Sequence, residues 1–273
     1  MKKIFVLIIA FYPIINCYCQ QTSEEYISSG IKNSNTQNYR AAITDFSKAI
    51  ELNPQNAAAY NNRALAKVNI NDKQGAIEDF TKAIGIDSEN ISYYFNRGVA
   101  KANSYDYEEA IPDFSKAIDT DSTNAEYYVN RGFARAATKD YRGAIADFSK
   151  TIEINPADEG NYNYRGFAKI KLNDNKGAIT DFSKAIELNS SNDEYYNNRG
   201  LAKANVKDYK GAIADFSKAI EIDPEKGDYY YNRGNSEINL KQKESGCLDL
   251  NKAVELGNKN ANELVKKYCK DSN

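Results

Sequence analysis

The sequence predicts an all-α protein, a superhelical solenoid of seven consecutive helix–turn–helix repeats. Two observations predict it: the same residue types recur every 34 residues, and within each interval the apolar positions have the spacing of two amphipathic helices. Because a repeat array grows by stacking, we expect the repeats of this 273-residue chain to form one elongated array and not separate globular domains. The recurring columns include Tyr26, Tyr60, Tyr94, Tyr128, Tyr162, Tyr196 and Tyr230, and Phe46, Phe80, Phe114, Phe148, Phe182 and Phe216.

Each repeat contains two predicted helices. In residues 125–158, two sets of side chains recur at steps of three and four, as on one helix face: Tyr128, Arg131, Gly132 and Arg135, then Ala144, Phe148 and Thr151. Between the two sets, Asp140 can cap the second helix by accepting a backbone N–H. Asp72, Asp106, Asp174 and Asp208 occupy the matching place. Pro156 ends the second helix, because proline disfavours helical geometry in the residue before it.

The repeats predict the domain boundaries. Seven repeats span residues 23–260, as 23–56, 57–90, 91–124, 125–158, 159–192, 193–226 and 227–260. A terminal repeat needs a cover for its apolar side. Residues 261–273 are predicted to be a capping helix and tail whose apolar stripe comprises Ala261, Leu264, Val265, Tyr268 and Cys269.

Residues 1–19 are predicted to be a signal peptide, so we expect an exported protein: periplasmic, in the cell envelope, or secreted. Lys2 and Lys3 precede an apolar run that is shorter than the roughly 20 residues of a membrane span. Cys19 suits a cleavage site before Gln20. Lipid modification of Cys17 is the alternative, although Asn16 is bulkier than the residue expected before a lipidated cysteine.

Cleavage after Cys19 would leave two cysteines, Cys247 and Cys269. An even pair in an exported protein favours a disulfide. The alternative is two buried thiols that pack as small apolar groups.

Composition argues against several functional classes. The net charge is -2, with 36 basic and 38 acidic residues, so we expect no nucleic-acid partner. Histidine is absent from the sequence, which removes the commonest general base and metal ligand. Neither a Gly-rich phosphate loop nor a nucleophile with a base partner is recognisable. We therefore expect no enzyme, no metal and no cofactor.

The tyrosine, Gly/Ala, Ala and Phe columns, ending in Asn155-Pro156, resemble the tetratricopeptide repeat (TPR) family in its Asn-Arg-Gly variety. The resemblance covers residues 23–260. It implies a right-handed superhelix in which the first helix of each pair lines the concave side, the default binding surface. The seventh repeat departs from the pattern at Gly246, Cys247 and Leu250, and residues 253–264 resemble a Sel-one-like repeat.

On the expected concave side, an asparagine column lies beside an apolar row. An amide offers a donor and an acceptor to one peptide unit of an extended ligand. Alternatively, these amides only hydrogen-bond the adjacent helix. Tyr164 interrupts the column. The predicted peptide-binding residues are Asn62, Asn96, Asn130, Asn198, Asn232, Leu65, Val99, Phe133, Phe167 and Leu201.

The predicted ligand is an extended, partly apolar, neutral or basic segment of another protein, because Glu126, Glu194 and Asp228 make the rim mildly acidic. The lysines of a carboxylate clamp for acidic chaperone tails are missing, since Phe95 and Val129 stand in their places. We expect an arginine column to form internal ion pairs with an aspartate column, as Arg63 with Asp79 and Arg131 with Asp147.

These observations favour an exported interaction scaffold or adaptor that binds a peptide segment in its groove. The alternative is a structural or assembly factor of the cell envelope that acts through self-association. Such a factor would contact the membrane only through an N-terminal lipid.

Overall fold

A computed structural model of the chain describes residues 21–269, and within that range it contains helices and no strand. The predicted signal peptide, with Cys17 and Cys19, lies outside the described residues. The helices are α1 Ser23–Asn35, α2 Tyr39–Leu52, α3 Ala57–Asn69, α4 Lys73–Ile86, α5 Ile91–Asn103, α6 Tyr107–Thr120, α7 Ala125–Ala137, α8 Tyr141–Ile154, α9 Glu159–Lys171, α10 Asn175–Leu188, α11 Asp193–Asn205, α12 Tyr209–Ile222, α13 Gly227–Asn239, α14 Lys243–Glu255 and α15 Ala261–Leu264. A one-turn π-helix, Val265–Cys269, follows α15.

The helices form two compact units, one ending at Ile86 and one beginning at Asp87. The first unit contains α1 to α4, and the second contains α5 to α15 and the π-helix. Within each unit, consecutive helices pair as hairpins, and the second helix of a hairpin packs on the first helix of the next. The predicted fold of stacked helical hairpins is confirmed. None of the helices between residues 21 and 269 is long and apolar enough to cross a bilayer.

In five of the described hairpins, a glycine of the first helix lies directly against a phenylalanine of the second helix. In the fourth hairpin, a Cβ on Gly132 would lie 2.8 Å from the Phe148 ring, so only glycine admits the ring at this distance. Phe148 is buried together with Ala144 and with Ala168 of the next hairpin. The apolar stripe of each helix is therefore covered partly by its own hairpin and partly by a neighbour.

The turn within each hairpin places one residue in the left-handed region. Lys139 has a φ of 67°, and the next N–H, that of Asp140, donates to the carbonyl oxygen of Arg135 at 2.8 Å. This arrangement satisfies carbonyl groups at the end of α7. The equivalent residues of the other hairpins are Gln37, Asn71, Tyr105, Asn173, Lys207 and Lys241.

Four of the five predicted aspartate caps are confirmed. Gly143 donates its N–H to Asp140 at 2.9 Å, and Asp72, Asp174 and Asp208 accept from the residue three positions on in the same way. The prediction for Asp106 is wrong, since its side chain accepts no capping hydrogen bond. Position N3 of that helix is Glu109, whereas it is glycine in the capped helices.

The predicted arginine–aspartate ion pairs are confirmed. Nη2 of Arg63 lies 2.7 Å from Asp79, and Nη2 of Arg131 lies 2.8 Å from Asp147. Nη1 of Arg131 also donates to Ser115 of the preceding hairpin at 3.0 Å. Each of these aspartates is buried. The arginine column therefore links neighbouring hairpins and is occupied internally.

The C-terminal segment covers the seventh hairpin. Ala261 is buried against Leu250 and Ala253, and Val265 packs on the same cluster. Cys247 of α14 and Cys269 of the π-helix form a disulfide, with their Cα atoms 5.5 Å apart.

The covering segment differs from the single helical stripe that the sequence predicts. The regular helix α15 ends at Leu264, and Tyr268 does not join the buried cluster. Because a π-helix has a wider turn than an α-helix, residues after Leu264 leave the spacing expected of an α-helix.

Candidate functional site

The first helices of the second unit share one face. Phe95 of α5 and Tyr127 of α7 have ring centroids 5.0 Å apart, and Phe133 of α7 and Tyr164 of α9 have theirs 4.5 Å apart. Further along, α11 contacts both α9 and α13. We call this surface, formed by α5, α7, α9, α11 and α13, the first-helix face.

Eight of the ten predicted binding residues lie on the first helices of the second unit, and two, Asn62 and Leu65, lie on α3 of the first unit. Phe133 is 41% exposed and Phe167 is 43% exposed. Val99 instead packs against its own hairpin, in the cluster around Phe114. The outward-facing part of the apolar row in the second unit is therefore concentrated in α7 and α9.

Two asparagines of the predicted ladder connect neighbouring first helices. Nδ2 of Asn198 donates to Oδ1 of Asn163 at 3.0 Å, and Nδ2 of Asn232 donates to Oδ1 of Asn197 at 2.9 Å. Asn198 is only 5% exposed. At these two positions the amides make the contact to an adjacent helix that the sequence left open as the alternative.

The remaining ladder asparagines have different surroundings. Nδ2 of Asn130 donates to the carbonyl oxygen of Glu126 in its own helix at 2.9 Å. Oδ1 of Asn62 accepts from the neighbouring Asn61 at 3.5 Å. Asn96 is half-buried on α5. A role of these amides in holding a peptide stays a prediction.

An aromatic pocket of about 440 Å³ opens between α7 and α9. Tyr164 supplies one wall, and its ring lies 4.5 Å from Phe133 and 5.7 Å from Phe148, centroid to centroid. Five rings line the pocket, together with two alanines, one amide and two charged side chains: Phe133, Tyr141, Phe148, Tyr164, Phe167, Ala136, Ala168, Asn163, Lys171 and Glu194. Its size and lining suit a bulky apolar group.

A second cavity of about 390 Å³ adjoins the aromatic pocket and shares Phe167 and Glu194 with it. This cavity is more polar. It is also lined by Asn197, Asn198, Lys226, Asp228 and Tyr229. A ligand in the aromatic pocket can therefore continue directly into a region with carboxylates and amides.

Two residues that line the second cavity, Lys226 and Tyr229, are both held by Asp193. The Tyr229 hydroxyl donates to Asp193 at 2.5 Å, and Lys226 Nζ lies 2.8 Å from the same oxygen. Burial and the bond to Asp193 raise the pKa of Tyr229. Burial opposes ionisation of Asp193, but the hydrogen bonds from Lys226 and Tyr229 outweigh it and lower the pKa of Asp193. Asp193 is therefore an anion and Tyr229 a neutral donor at physiological pH.

Several residues of this site are not predicted from the sequence. Tyr164 is predicted only as an interruption of the asparagine column, and Tyr141 and Asn163 are not among the predicted binding residues. A signal was present: an aromatic residue in the amide column, three positions before the exposed Phe167. Among residues 21–269, the structure also shows no cluster of three or more side chains that could hold a metal ion.

Comparison with known families agrees with this architecture. Sequence profiles described as tetratricopeptide repeat match residues 57–90, 95–159, 194–226 and 227–260, and a profile described as TPR repeat matches residues 36–71 and 168–206. Together they cover most of the chain. A comparison with curated proteins found no match.

Several solved structures are similar to this chain. One is YrrB, described as a TPR protein with an unusual peptide-binding site, at 26% identity and a TM-score of 0.59 over 70% of this chain and 99% of YrrB. A TPR protein from Parabacteroides merdae has 22% identity and a TM-score of 0.65, over 92% of this chain and 100% of its own. The C-terminal part of a TPR protein from Cytophaga hutchinsonii has 20% identity and a TM-score of 0.73, over 87% and 98%. The profile matches and the stacked hairpins together show that the chain belongs to the tetratricopeptide repeat family.

Proposed function

We propose that this protein is an exported, non-enzymatic interaction scaffold that binds an extended segment of a partner protein along its first-helix face. The observation that carries the proposal is the aromatic pocket around Tyr164. In the proposed complex, one bulky apolar side chain of the partner fills this pocket, and the flanking backbone runs along the neighbouring first helices.

Exposed aromatic rings around a cavity favour this role. Phe133 and Phe167 each leave about two-fifths of their surface in water, and the rings of Tyr141 and Tyr164 line the same cavity. Transfer of apolar area out of water releases about 25 cal/mol per Å². Because binding energy concentrates in a few well-packed anchors, one partner side chain here would supply much of the affinity.

Charge at the rim supports a neutral or basic partner. Glu194 borders both cavities and Asp228 borders the second, against Lys171 in the first cavity and Lys226 in the second. The side chain of Glu194 is largely exposed and lies 3.7 Å from Lys226. Opposite charges favour encounter and register more than final affinity. The description of YrrB as a TPR protein with an unusual peptide-binding site supports a peptide ligand.

Three finer assignments belong to the same proposal. Residues 1–19 direct export, the repeats belong to the Asn-Arg-Gly variety, and the terminal repeat is of the Sel-one-like kind. Mass analysis of the mature N-terminus distinguishes cleavage before Gln20 from a lipidated Cys17.

Replacement of Tyr164 by asparagine tests the pocket. Tyr164→Asn restores the residue that most other repeats carry in this column and removes one wall. Peptides are first selected on the wild-type protein from a random phage-displayed library. We expect Tyr164→Asn and Phe167→Ala each to weaken these peptides at least tenfold, about 1.4 kcal/mol, in fluorescence anisotropy.

Leu188→Ala is the matched control, because Leu188 is an exposed apolar residue at the end of a second helix, outside the cavity lining. It should leave binding unchanged. If both pocket variants bound the selected peptides as tightly as the wild type, the pocket would not be the site. Light scattering of the mature protein tests the alternative function, since a stable oligomer would favour assembly through self-association.

A further inference from the structure

The seventh hairpin has an acidic residue at a position of the first helix where five other hairpins have a basic residue. In those hairpins, each buried aspartate of the second helix is held by the arginine column and also by a second cation four residues further along the first helix. These second contacts are Lys67–Asp79 at 2.7 Å, Lys101–Asp113 at 3.0 Å, Arg135–Asp147 at 2.8 Å, Lys169–Asp181 at 2.7 Å and Lys203–Asp215 at 2.7 Å. In the seventh hairpin, Glu237 occupies the position of the second cation, and the buried aspartate is Asp249.

Among residues 21–269, Arg233 is the cation that holds Asp249. Nε and Nη2 of Arg233 donate to Asp249 at 2.6 and 2.9 Å, and Nη1 donates to Ser217 at 3.0 Å. Oε2 of Glu237 is buried and has no hydrogen-bond partner among the described residues. An unpaired buried carboxylate oxygen is costly, because water no longer solvates its charge.

The two helices of this hairpin approach each other closely around Glu237. A Cβ on Gly234 would lie 2.8 Å from the carbonyl oxygen of Gly246, and a Cβ on Gly246 would lie 2.9 Å from the carbonyl oxygen of Gly234. Gly246 stands where the first six hairpins have alanine. The close backbones restrict how far Glu237 and Asp249 can separate.

The charged groups that act on Glu237 lie on α13 and α14. From α14, Asp249 repels its negative charge, and on α13 itself Arg233 attracts it. Ser245 of α14 donates to the carbonyl oxygen of Gln242. From α12, Ser217 accepts a hydrogen bond from Arg233. From α11, Asp193 pairs with Lys226 and Tyr229, which precede Glu237 by two or more helical turns. Burial, followed by Asp249, dominates and raises the pKa of Glu237 above its ordinary value of 4.5.

We propose that Glu237 and Asp249 form a proton-binding site in the seventh hairpin, which takes up one proton as the pH falls and thereby stabilises that hairpin and its C-terminal cover. The proton comes from solvent and adds to the Glu237 carboxylate. The carboxyl group then becomes a hydrogen-bond donor, and the repulsion between the two acidic groups is removed.

The direction of the pH effect follows from proton linkage. Because the folded hairpin holds the Glu237 proton more tightly than the unfolded chain, its stability rises as pH falls from neutral through the folded-state pKa. The gain is complete below pH 4.5, the ordinary pKa of glutamate, and is lost as pH rises through the folded-state pKa. The effect is local, because repeat proteins are stabilised unit by unit.

Amide hydrogen exchange tests the site in the intact, disulfide-bonded protein. Protection factors, corrected for intrinsic rates, are compared at pH 7.5 and pH 5.0 for α13 and α14, with α11 and α12 of the same molecule as reference. We expect the wild-type ratio of α13–α14 to α11–α12 protection to rise on acidification, by up to about tenfold for each unit of pKa difference. In Glu237→Gln this rise should disappear.

Glu237→Lys is the second variant, because it restores the cation found at this position in other hairpins. It should protect α13 and α14 more than the wild type does at pH 7.5. A ¹³C carboxyl titration of Glu237 by NMR gives an independent measurement and should show a midpoint above 4.5. A midpoint at or below that value, or equal pH dependence in wild type and Glu237→Gln, would overturn the proposal.

Discussion

Oδ1 of Asp140 accepts the backbone N–H of Gly143 at 2.9 Å, and this contact depends on the missing side chain of Gly143. A Cβ at Gly143 would collide with the Asp140 carboxylate. In α6 the N-cap residue is also an aspartate, Asp106, but glutamate occupies the position of Gly143 and there is no side-chain cap. In α2, Asn38 likewise makes no cap where alanine occupies that position. The aspartate caps of the second helices therefore require a glycine three residues on.

The capping contact predicts different costs for two equivalent aspartates. Asp140→Ala removes a cap and should lower the free energy of unfolding of its hairpin by about 1 kcal/mol. Asp106→Ala should cost much less, because Asp106 makes no capping hydrogen bond. Urea denaturation followed by hydrogen exchange of the affected helix measures both values.

Glu109→Gly provides the control. This change removes the side chain that blocks capping in α6, so in this background Asp106→Ala should cost nearly as much as Asp140→Ala does in the wild type. Equal, small costs of Asp106→Ala in both backgrounds would show that glycine is not what permits the cap.

The same comparison shows what the sequence could predict. Hairpins follow from spacing alone, and so does the pairing of Arg131 with Asp147, because the same ion pair recurs in hairpins two to seven. The absence of a cap at Asp106 could not be predicted from the repeat pattern. It depends on the side chain of Glu109, which departs from the glycine of the capped helices.

The aromatic pocket was harder to predict for a related reason. It depends on Tyr164, a single departure from its column, and on the distance between α7 and α9. The amide contact between Asn198 and Asn163 likewise depends on how far one first helix lies from the next. A repeat pattern predicts the shared geometry well and the consequences of each exception poorly.

The ion pairs predict a large cost for Asp147→Asn. Asp147 is buried and is held by both Arg131 and Arg135, so its neutralisation leaves two cations without their carboxylate. Removal of one partner from a buried ion pair costs about 3 to 5 kcal/mol. We expect the lower end of this range, because the arginines are partly exposed. Hydrogen exchange of α7 and α8 would report the loss locally.

Asp45→Asn in the first hairpin is the matched control. Asp45 occupies the same column but is held by two neutral side chains, Ser29 and Asn33, each at 2.8 Å. Its replacement should cost about 1 kcal/mol, as for ordinary hydrogen bonds. Comparable losses in the two variants would show that the ion pairs of Asp147 are not the cause of the larger cost.

Asn198 contacts an adjacent helix and Asn130 contacts its own helix, so their replacement should affect protein stability differently. Asn198→Ala removes a buried donor and leaves Oδ1 of Asn163 without it, so the free energy of unfolding should fall by about 1 to 3 kcal/mol. Asn130→Ala should change stability by less than about 0.5 kcal/mol, since Asn130 contacts only its own helix in the hydrogen bond described. Denaturation curves of the two variants measure this difference.

Peptide binding to the same two variants tests the predicted ladder. If Asn130 holds the ligand backbone, Asn130→Ala should weaken the peptides selected on the wild type without a change in stability. Unchanged affinity in this variant would remove Asn130 from the site and leave the aromatic pocket as the anchor.

The disulfide between Cys247 and Cys269 predicts that reduction loosens the end of the array. It closes a segment with a sequence separation of 22 residues, and a crosslink of this length contributes about 3 kcal/mol by restricting the unfolded chain. Cys247→Ser, or reduction of the wild type, should therefore increase hydrogen exchange in residues 261–269 and in α14. Helices α1 to α4 belong to the other compact unit and serve as an internal reference that should not change. Because Ala261 is buried against Leu250 and Ala253 by apolar packing, we expect some protection to remain at the start of the cover after reduction. If exchange in residues 261–269 were the same with and without the crosslink, apolar packing alone would hold the cover.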